Sequence, residues 1–139
     1  MRCLGLDLGT RTLGIAVSDR GGIISSKLKT VRYHQNDELL RELNNIMKDY
    51  NIEVFVLGFP KNMNNTIGPR AEATLKFKTL LEETFKLPVE LIDERLSTVE
   101  AENVLISADV SRKKRKDVID GLAATIILDT YLRRVKNGK

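Results

Sequence analysis

Residues 2–31 contain three short apolar segments, and the connections between them are too short to hold a helix. The segments span residues 2–8, 13–19 and 23–31, with Gly21-Gly22 between the second and the third. Parallel neighbours in a sheet need a crossover of about a dozen residues, whereas antiparallel neighbours need only a turn. The chain therefore predicts an antiparallel meander of three strands at its amino-terminal end.

Strands and helices alternate after this meander, which is the pattern of an α/β protein. We expect a helix capped by Asn36, a strand at 53–57, a helix containing Ala71 to Phe85, a strand from Val89 to Ile92, a short helix from Ser97 to about Ser107, and a last helix from about Lys116 to Val135. The sequence predicts one α/β domain over residues 1–139, with a mixed five-stranded sheet, flanking helices and a flexible tail at 136–139.

The composition is typical of an ordered protein in a reducing compartment. Hydrophobic residues make up 42% of the 139 residues, which is enough for a packed core, and no apolar run is long enough to span a membrane. The first residues lack the features of a signal peptide, so we expect a cytoplasmic location. With Cys3 and His34 as its single cysteine and histidine, the chain has no internal disulfide and no zinc site of the usual His/Cys type.

The net charge of +4 is unevenly distributed along the chain. Residues 111–139 carry nine Lys or Arg and three Asp, so the whole positive excess lies in the last fifth of the sequence. Such an asymmetry favours a polyanionic partner. On charge alone, a solvated helix start and tail explain it equally well.

Asp7 is the first of three acidic positions that suggest chemistry. It lies inside the first apolar strand, where alternation places it on one face with Cys3 and Gly5. A charge in such a strand is costly unless it is paired, solvated or bound to a metal ion. A hydrogen bond to the amides of the following turn is the structural alternative.

The other two acidic positions follow a late strand and lie in the last helix. Glu94 comes at the carboxyl end of its strand, where ligands collect in α/β sheets, and its neighbour Asp93 is an alternative at the same place. Asp120 lies beside small residues that would let the last helix approach the sheet, and Asp117 is a further acid in the same helix. An ion pair with Arg95, or complementation of the helix dipole, would explain these acids without a ligand.

Carboxylates without histidine or thiolate are hard oxygen ligands, which suit Mg²⁺ or Mn²⁺. Two such ions about 4 Å apart can activate a water and stabilise the leaving oxygen of a phosphodiester. Any one acid alone is better explained structurally. Acids at two strand positions and on a packed helix together favour a shared metal site.

Several basic and polar residues are candidates for binding phosphates. Thr10 and Arg11 follow the first strand in a glycine-containing turn, and Lys61 and Asn62 lie in a long polar loop. A basic run stands just before the predicted last helix and consists of Arg112, Lys113, Lys114, Arg115 and Lys116. Each group has a structural alternative. The first would be a tight turn, the second a surface loop, and the basic run an exposed link.

Four motifs occur together in a fixed order: GLDLGTRTLGIAVSD at 5–19, VLGFPKNMN at 56–64, DERLST at 93–98 and DVIDGLAATIILDTYL at 117–132. This combination resembles the YqgF/RuvX family, whose members are described as Holliday-junction-resolvase-like or as pre-16S ribosomal RNA nucleases. The resemblance implies a ribonuclease-H-like fold and divalent-metal-dependent hydrolysis of phosphodiesters. It matches Asp7, Glu94 and Asp120 to the family's acids, Thr10 and Arg11 to its first loop, and Arg95 to its basic residue.

The preferred hypothesis is a nuclease acting on structured nucleic acid, either a precursor of 16S rRNA, at its 5′ end, or branched DNA. A non-catalytic RNA- or ribosome-binding module of the same fold is the alternative. A nucleotide-binding ATPase domain is a third hypothesis, because GLDLGT resembles the phosphate loop of the sugar-kinase, actin and Hsp70 ATPases; it ranks last because those proteins use two domains. The sequence leaves open whether the protein acts as a monomer or a homodimer.

Overall fold

Five strands form a mixed sheet in the computed structural model, which describes residues 1–60, 68–93 and 106–138, with the backbone alone at 115–121. The strands are β1 (Cys3–Leu8), β2 (Thr12–Ser18), β3 (Ser25–Arg32), β4 (Val54–Phe59) and β5 (Val89–Asp93). Their order across the sheet is β3-β2-β1-β4-β5. The first three are antiparallel, whereas β1, β4 and β5 run parallel. The predicted meander and the predicted mixed sheet are confirmed.

The helices whose bounds both lie in the described part of the chain are α1 (Asn36–Asp49), α2 (Pro69–Phe85) and α3 (Arg112–Lys136), and they flank the sheet. None of them is long and apolar enough to cross a membrane. The first helix begins one residue earlier than predicted, because its N-cap is Gln35 and not Asn36. The Glu38 carboxylate accepts the backbone N–H groups of His34 and Gln35 at 2.9 and 3.0 Å, which satisfies amides just before the helix.

The start of α3 differs more from its prediction. The helix begins at Arg112, so the basic run forms its first turns, and the prediction that this run precedes the helix is wrong. Ser111 is the N-cap, and its Oγ accepts the backbone N–H of Lys114 at 3.3 Å. Lysine and arginine are good helix formers, so a cap before them extends the helix through the charge run. The predicted stop is confirmed: Asn137 is the C-cap and Gly138 has a φ of +73°.

Most of the short helix predicted after Ser97 lies outside the described residues, as do Lys61, Asn62, Glu94 and Arg95. Within the described part, Ile106 and Ser107 are helical.

The two faces of the sheet support two hydrophobic cores. One core packs α1 and α2 against the sheet and includes Leu4 and Leu6 of β1. The other packs α3 against the opposite face and includes Cys3 of β1, together with Leu128 of the helix. Burial raises the pKa of the Cys3 thiol to about 11, so this cysteine behaves as a small core side chain. The alternation predicted for β1 is confirmed.

Helix α3 lies directly on β1 at Gly5. A Cβ atom built on Gly5 would come within 2.8 Å of the Leu128 Cβ and 2.9 Å of the Ala124 carbonyl oxygen. These distances are too short for any side chain at this position. The close packing of α3 on β1 therefore requires glycine here. The neighbouring strand is less crowded, since a Cβ on Gly14 would lie 3.6 Å from the Asp7 Cβ and 3.7 Å from the Ala124 Cβ.

We predict that Gly5→Ala destabilises the protein by about 1–3 kcal/mol, because the added methyl group forces α3 away from the sheet. Gly14→Ala is the matched control, since its methyl group meets ordinary contact distances, and its effect stays within about 0.5 kcal/mol. Urea denaturation followed by circular dichroism measures both free energies of unfolding. Equal losses in the two variants would show that the close approach at Gly5 is not what matters.

Candidate active site

Asp7 lies near the carboxyl end of β1, on the face covered by α3. In the sheet it pairs with Gly14 of β2, which in turn pairs with Thr30 of β3. Because Gly14 has no side chain, the carboxylate has open space beside it. A cleft of about 60 Å³ forms there between the sheet and α3, and it is lined by Asp7, Thr12, Gly14, Ile15, Lys27, Lys29, Thr30, Ala123, Ala124 and Thr125.

The Asp7 carboxylate makes no hydrogen bond or ion pair with any residue whose side chain the structure describes. The structural alternative, hydrogen bonds from the turn amides of Gly9 and Thr10, is wrong. The Gly9 N–H donates to the Thr12 carbonyl at 2.7 Å, and the Thr10 N–H does not donate to Asp7. Asp7 is partly buried. A carboxylate in such a place without a donor is suited to binding a cation.

Two side chains hold the backbone just after Asp7. The Arg70 guanidinium at the start of α2 donates to the Leu8 carbonyl, and the Tyr33 hydroxyl donates to the Gly9 carbonyl at 2.6 Å. The Tyr33 backbone N–H also donates to the Arg11 carbonyl at 3.0 Å. Burial raises the pKa of Tyr33 above its ordinary value, against the opposing effect of Arg70, so the phenol keeps its proton at neutral pH.

No local pattern indicates this role for Tyr33, because its partner is a backbone carbonyl distant in the chain. The loop that these bonds hold carries Thr10 and Arg11, and both are exposed. Their predicted contact with phosphates is therefore sterically open.

Strands β4 and β5 run parallel to β1 and end at the same edge of the sheet. Leu6 pairs with Leu57 of β4, and Phe59 of β4 pairs with Asp93 of β5. Val89 of β5 packs in the core beneath α1 and α2, whereas Ile92 packs beneath α3. Since side chains alternate along a strand, Asp93 belongs to the face opposite Asp7.

Helix α3 runs along the face of the sheet that carries Asp7, and its successive turns follow β1. Leu132 lies 4.0 Å from the Cβ position of Gly22, Leu128 and Ala124 contact Gly5, and Ala124 also reaches Gly14 beside Asp7. Successive turns of the helix thus approach the Asp7 end of the strand. Asp120 precedes Ala124 by one turn and Asp117 lies slightly earlier, both in the stretch where the backbone alone is described.

The first turn of α3 contains basic residues and no acidic one. Arg112, Lys113 and Lys114 are exposed, as expected for groups that bind phosphates. Arg115 and Lys116 belong to the same helix, within the stretch of backbone. Cations at this end oppose the helix macrodipole, which favours anions there.

Within the described side chains, no group of three or more His, Cys, Asp or Glu residues is placed to hold a metal ion. Of the predicted metal ligands, Asp7 and Asp93 are within that description, and they lie on different faces. The grouping of Asp7 with Glu94 and Asp120 stays a prediction.

The fold is that of Holliday junction resolvases. A Thermus thermophilus RuvC structure matches with a TM-score of 0.64 and 14% identity, covering 99% of this chain and 97% of that one. The same protein in complex with a Holliday junction substrate matches with a TM-score of 0.61, 14% identity and the same coverage. These likenesses confirm the ribonuclease-H-like architecture.

The family model described as "RuvX: Holliday junction resolvase" matches residues 1–134. A relative from Bacillus licheniformis is 57% identical, covering 95% of this chain and 96% of its own length, and one from Bacillus subtilis is 54% identical, covering 95% and 97%. Both are called "Putative pre-16S rRNA nuclease". The chain belongs to the RuvX family, and the predicted class, a nuclease acting on nucleic acid, is confirmed.

We predict that Tyr33→Phe lowers the free energy of unfolding by about 1 kcal/mol, because the Gly9 carbonyl loses its donor. Tyr131→Phe is the control, since the Tyr131 hydroxyl bonds to no described residue. Thermal unfolding of both variants checks this. The role assigned to Tyr33 is wrong if the two substitutions have the same effect.

Proposed function

We propose that this chain hydrolyses phosphodiester bonds with a divalent cation, Mg²⁺ or Mn²⁺, held by Asp7, Glu94 and Asp120. The observation that carries this proposal is the Asp7 carboxylate, partly buried in a cleft and without a partner among the described side chains. Oxygen ligands of this kind fit hard divalent cations. A bound cation would offset the negative charge that builds on phosphate oxygens during hydrolysis.

The pleat of β5 supports Glu94 over Asp93 as the second ligand. Ile92 packs beneath α3, so Asp93 belongs to the other face. If the alternation continued past the strand, the next residue would belong to the face of Asp7. The two strands are separated by β4, so β1 and β5 are about 10 Å apart. A glutamate side chain is longer than an aspartate side chain, which suits a ligand that starts from the more distant strand.

The packing of α3 supports Asp120 as the third ligand. Leu132, Leu128 and Ala124 are spaced by one turn and meet the sheet progressively closer to Asp7. Asp120 is the next residue of this series. One helical turn advances about 5.4 Å, and two strand residues advance about 6.6 Å, so helix and strand stay nearly in step along their contact.

Exposed basic residues near this edge would bind the charged strand. We infer that Thr10 and Arg11 contact phosphates next to the cleaved bond, and that Arg112, Lys113 and Lys114 contact phosphates further along. Arg115 and Lys116 extend that basic helix start, while Lys61, Asn62 and Arg95 stand in the family motifs around the acids. These contacts predict affinity that falls steeply with salt.

We propose the precursor of 16S rRNA as the substrate, which would place the activity in the cytoplasm. The support is the name of relatives that are more than half identical over nearly the whole chain. A four-way DNA junction is the second candidate, supported by the description of the family. A junction has two-fold symmetry and calls for a homodimer, whereas one RNA end calls for a single copy.

We predict that Asp7→Asn lowers the cleavage rate by about a thousandfold or more, because an amide is a weak ligand for a hard cation. Binding of nucleic acid, measured by fluorescence anisotropy, stays within about threefold, since the basic residues are untouched. Cleavage is followed on a fragment spanning the 5′ end of the 16S rRNA precursor and on a four-way DNA junction, with Mg²⁺, Mn²⁺ or EDTA.

Asp49→Asn is the matched control, since Asp49 is exposed at the end of α1. It keeps the wild-type rate. Cleavage by purified Asp7→Asn at the wild-type rate would reject the metal assignment. If the wild-type protein binds both nucleic acids and cleaves neither, the non-catalytic binding module is the correct function.

A further inference from the structure

A β-bulge in β3 changes which of its side chains face the Asp7 cleft. Ile15 of β2 pairs with Lys29, but the next residue, Ala16, pairs with Lys27, so Leu28 is the extra residue of the ladder. Bulges re-aim side chains and are frequent beside active sites. Without the bulge, Lys27 and Thr30 would point to opposite faces, because they are an odd number of residues apart.

With the bulge, both residues belong to the face of Asp7. Thr30 pairs with Gly14, the partner of Asp7, and Lys27 pairs with Ala16, which packs in the core beneath α3. Lys27 and Thr30 accordingly line the cleft that contains Asp7. The intervening Lys29 is engaged elsewhere, because its ammonium group pairs with Glu42 of α1.

Two groups in this cleft lack partners among the described residues. Lys27 is exposed and forms no ion pair there. The Thr125 Oγ1 of α3 is buried and has no hydrogen-bond partner. A buried hydroxyl without a partner is costly, and it lines the same cleft as the Lys27 ammonium, which favours a ligand with oxygen atoms.

We propose that Lys27, Thr30 and Thr125 form a subsite for the sugar–phosphate backbone of the nucleic acid, one step along the strand from the phosphodiester at Asp7. The ammonium group binds a phosphate, and the exposed Thr30 hydroxyl bonds to a sugar or phosphate oxygen. The buried Thr125 hydroxyl makes its bond when the side chain rotates toward the ligand. The subsite also counters the repulsion between the Asp7 carboxylate and an approaching phosphate. Its place in the reaction rests on the proposed role of Asp7, whereas its contribution to binding does not.

The test measures binding in an Asp7→Asn background, so that no substrate is consumed. The probes are the 16S rRNA precursor fragment and the four-way DNA junction. We expect Lys27→Gln to weaken binding about fivefold at low salt and to reduce the slope of log affinity against log salt by about one. Lys27→Arg keeps most of the affinity. With Asp7 intact, Lys27→Gln raises KM and leaves kcat within about twofold.

Lys76→Gln is the charge-matched control, because Lys76 is exposed on α2, across the sheet from the cleft. It changes neither affinity nor salt slope. Thr125→Val separates function from folding: removal of the unpartnered hydroxyl weakens binding and leaves the unfolding temperature unchanged or higher.

Wild-type binding and KM in Lys27→Gln would overturn the subsite, as would an equal loss in Lys76→Gln. If Asp7→Asn still cleaves the substrate, the metal assignment is wrong. The subsite is then tested by the binding measurements alone.

Discussion

The contact of α3 with β1 at Gly5 is the constraint on which the candidate site depends. With no side chain at this position, the Ala124 carbonyl and the Leu128 Cβ lie where a strand side chain would otherwise stand. The helix therefore cannot slide or rotate without a clash or a void. This fixed contact places Ala124 beside Gly14 and Asp7, and it sets the turn of the helix that passes the end of β1.

Asp7 occupies the boundary between a dry core and an open cleft. On its face of β1, Cys3 and Gly5 are buried beneath α3, whereas Asp7 itself stays partly accessible. At the buried positions of β1, the free-energy cost of desolvating a carboxylate would be prohibitive. Past the end of β1, the sheet would no longer fix the position of the carboxylate. The bonds from Tyr33 and Arg70 to the next two carbonyls keep that strand end in place.

Local patterns predicted most of the fold and the position of Asp7. Alternation in residues 2–8 gave the correct faces, and short connections gave the correct meander. The start of α3 was missed because a dense charge run resembles a linker, whereas Ser111 caps it as a helix. The bulge at Leu28 was also missed, since β3 alternates weakly and the packing of α3 and α1 on its two sides determines the register. The grouping of Asp7 with Glu94 and Asp120 stays a prediction, because such a convergence depends on tertiary structure and no local pattern could establish it.

The amino-terminal turn of α3 is electrostatically frustrated. Arg112, Lys113 and Lys114 repel one another and stand at the positive end of the helix, with no acid in that turn to relieve them. A polyanion arriving at this end removes the frustration, so part of its binding energy goes into consolidating the turn. The same helix continues to the cleft beside Asp7, so a polyanion bound at its start would stiffen the element that carries Asp120.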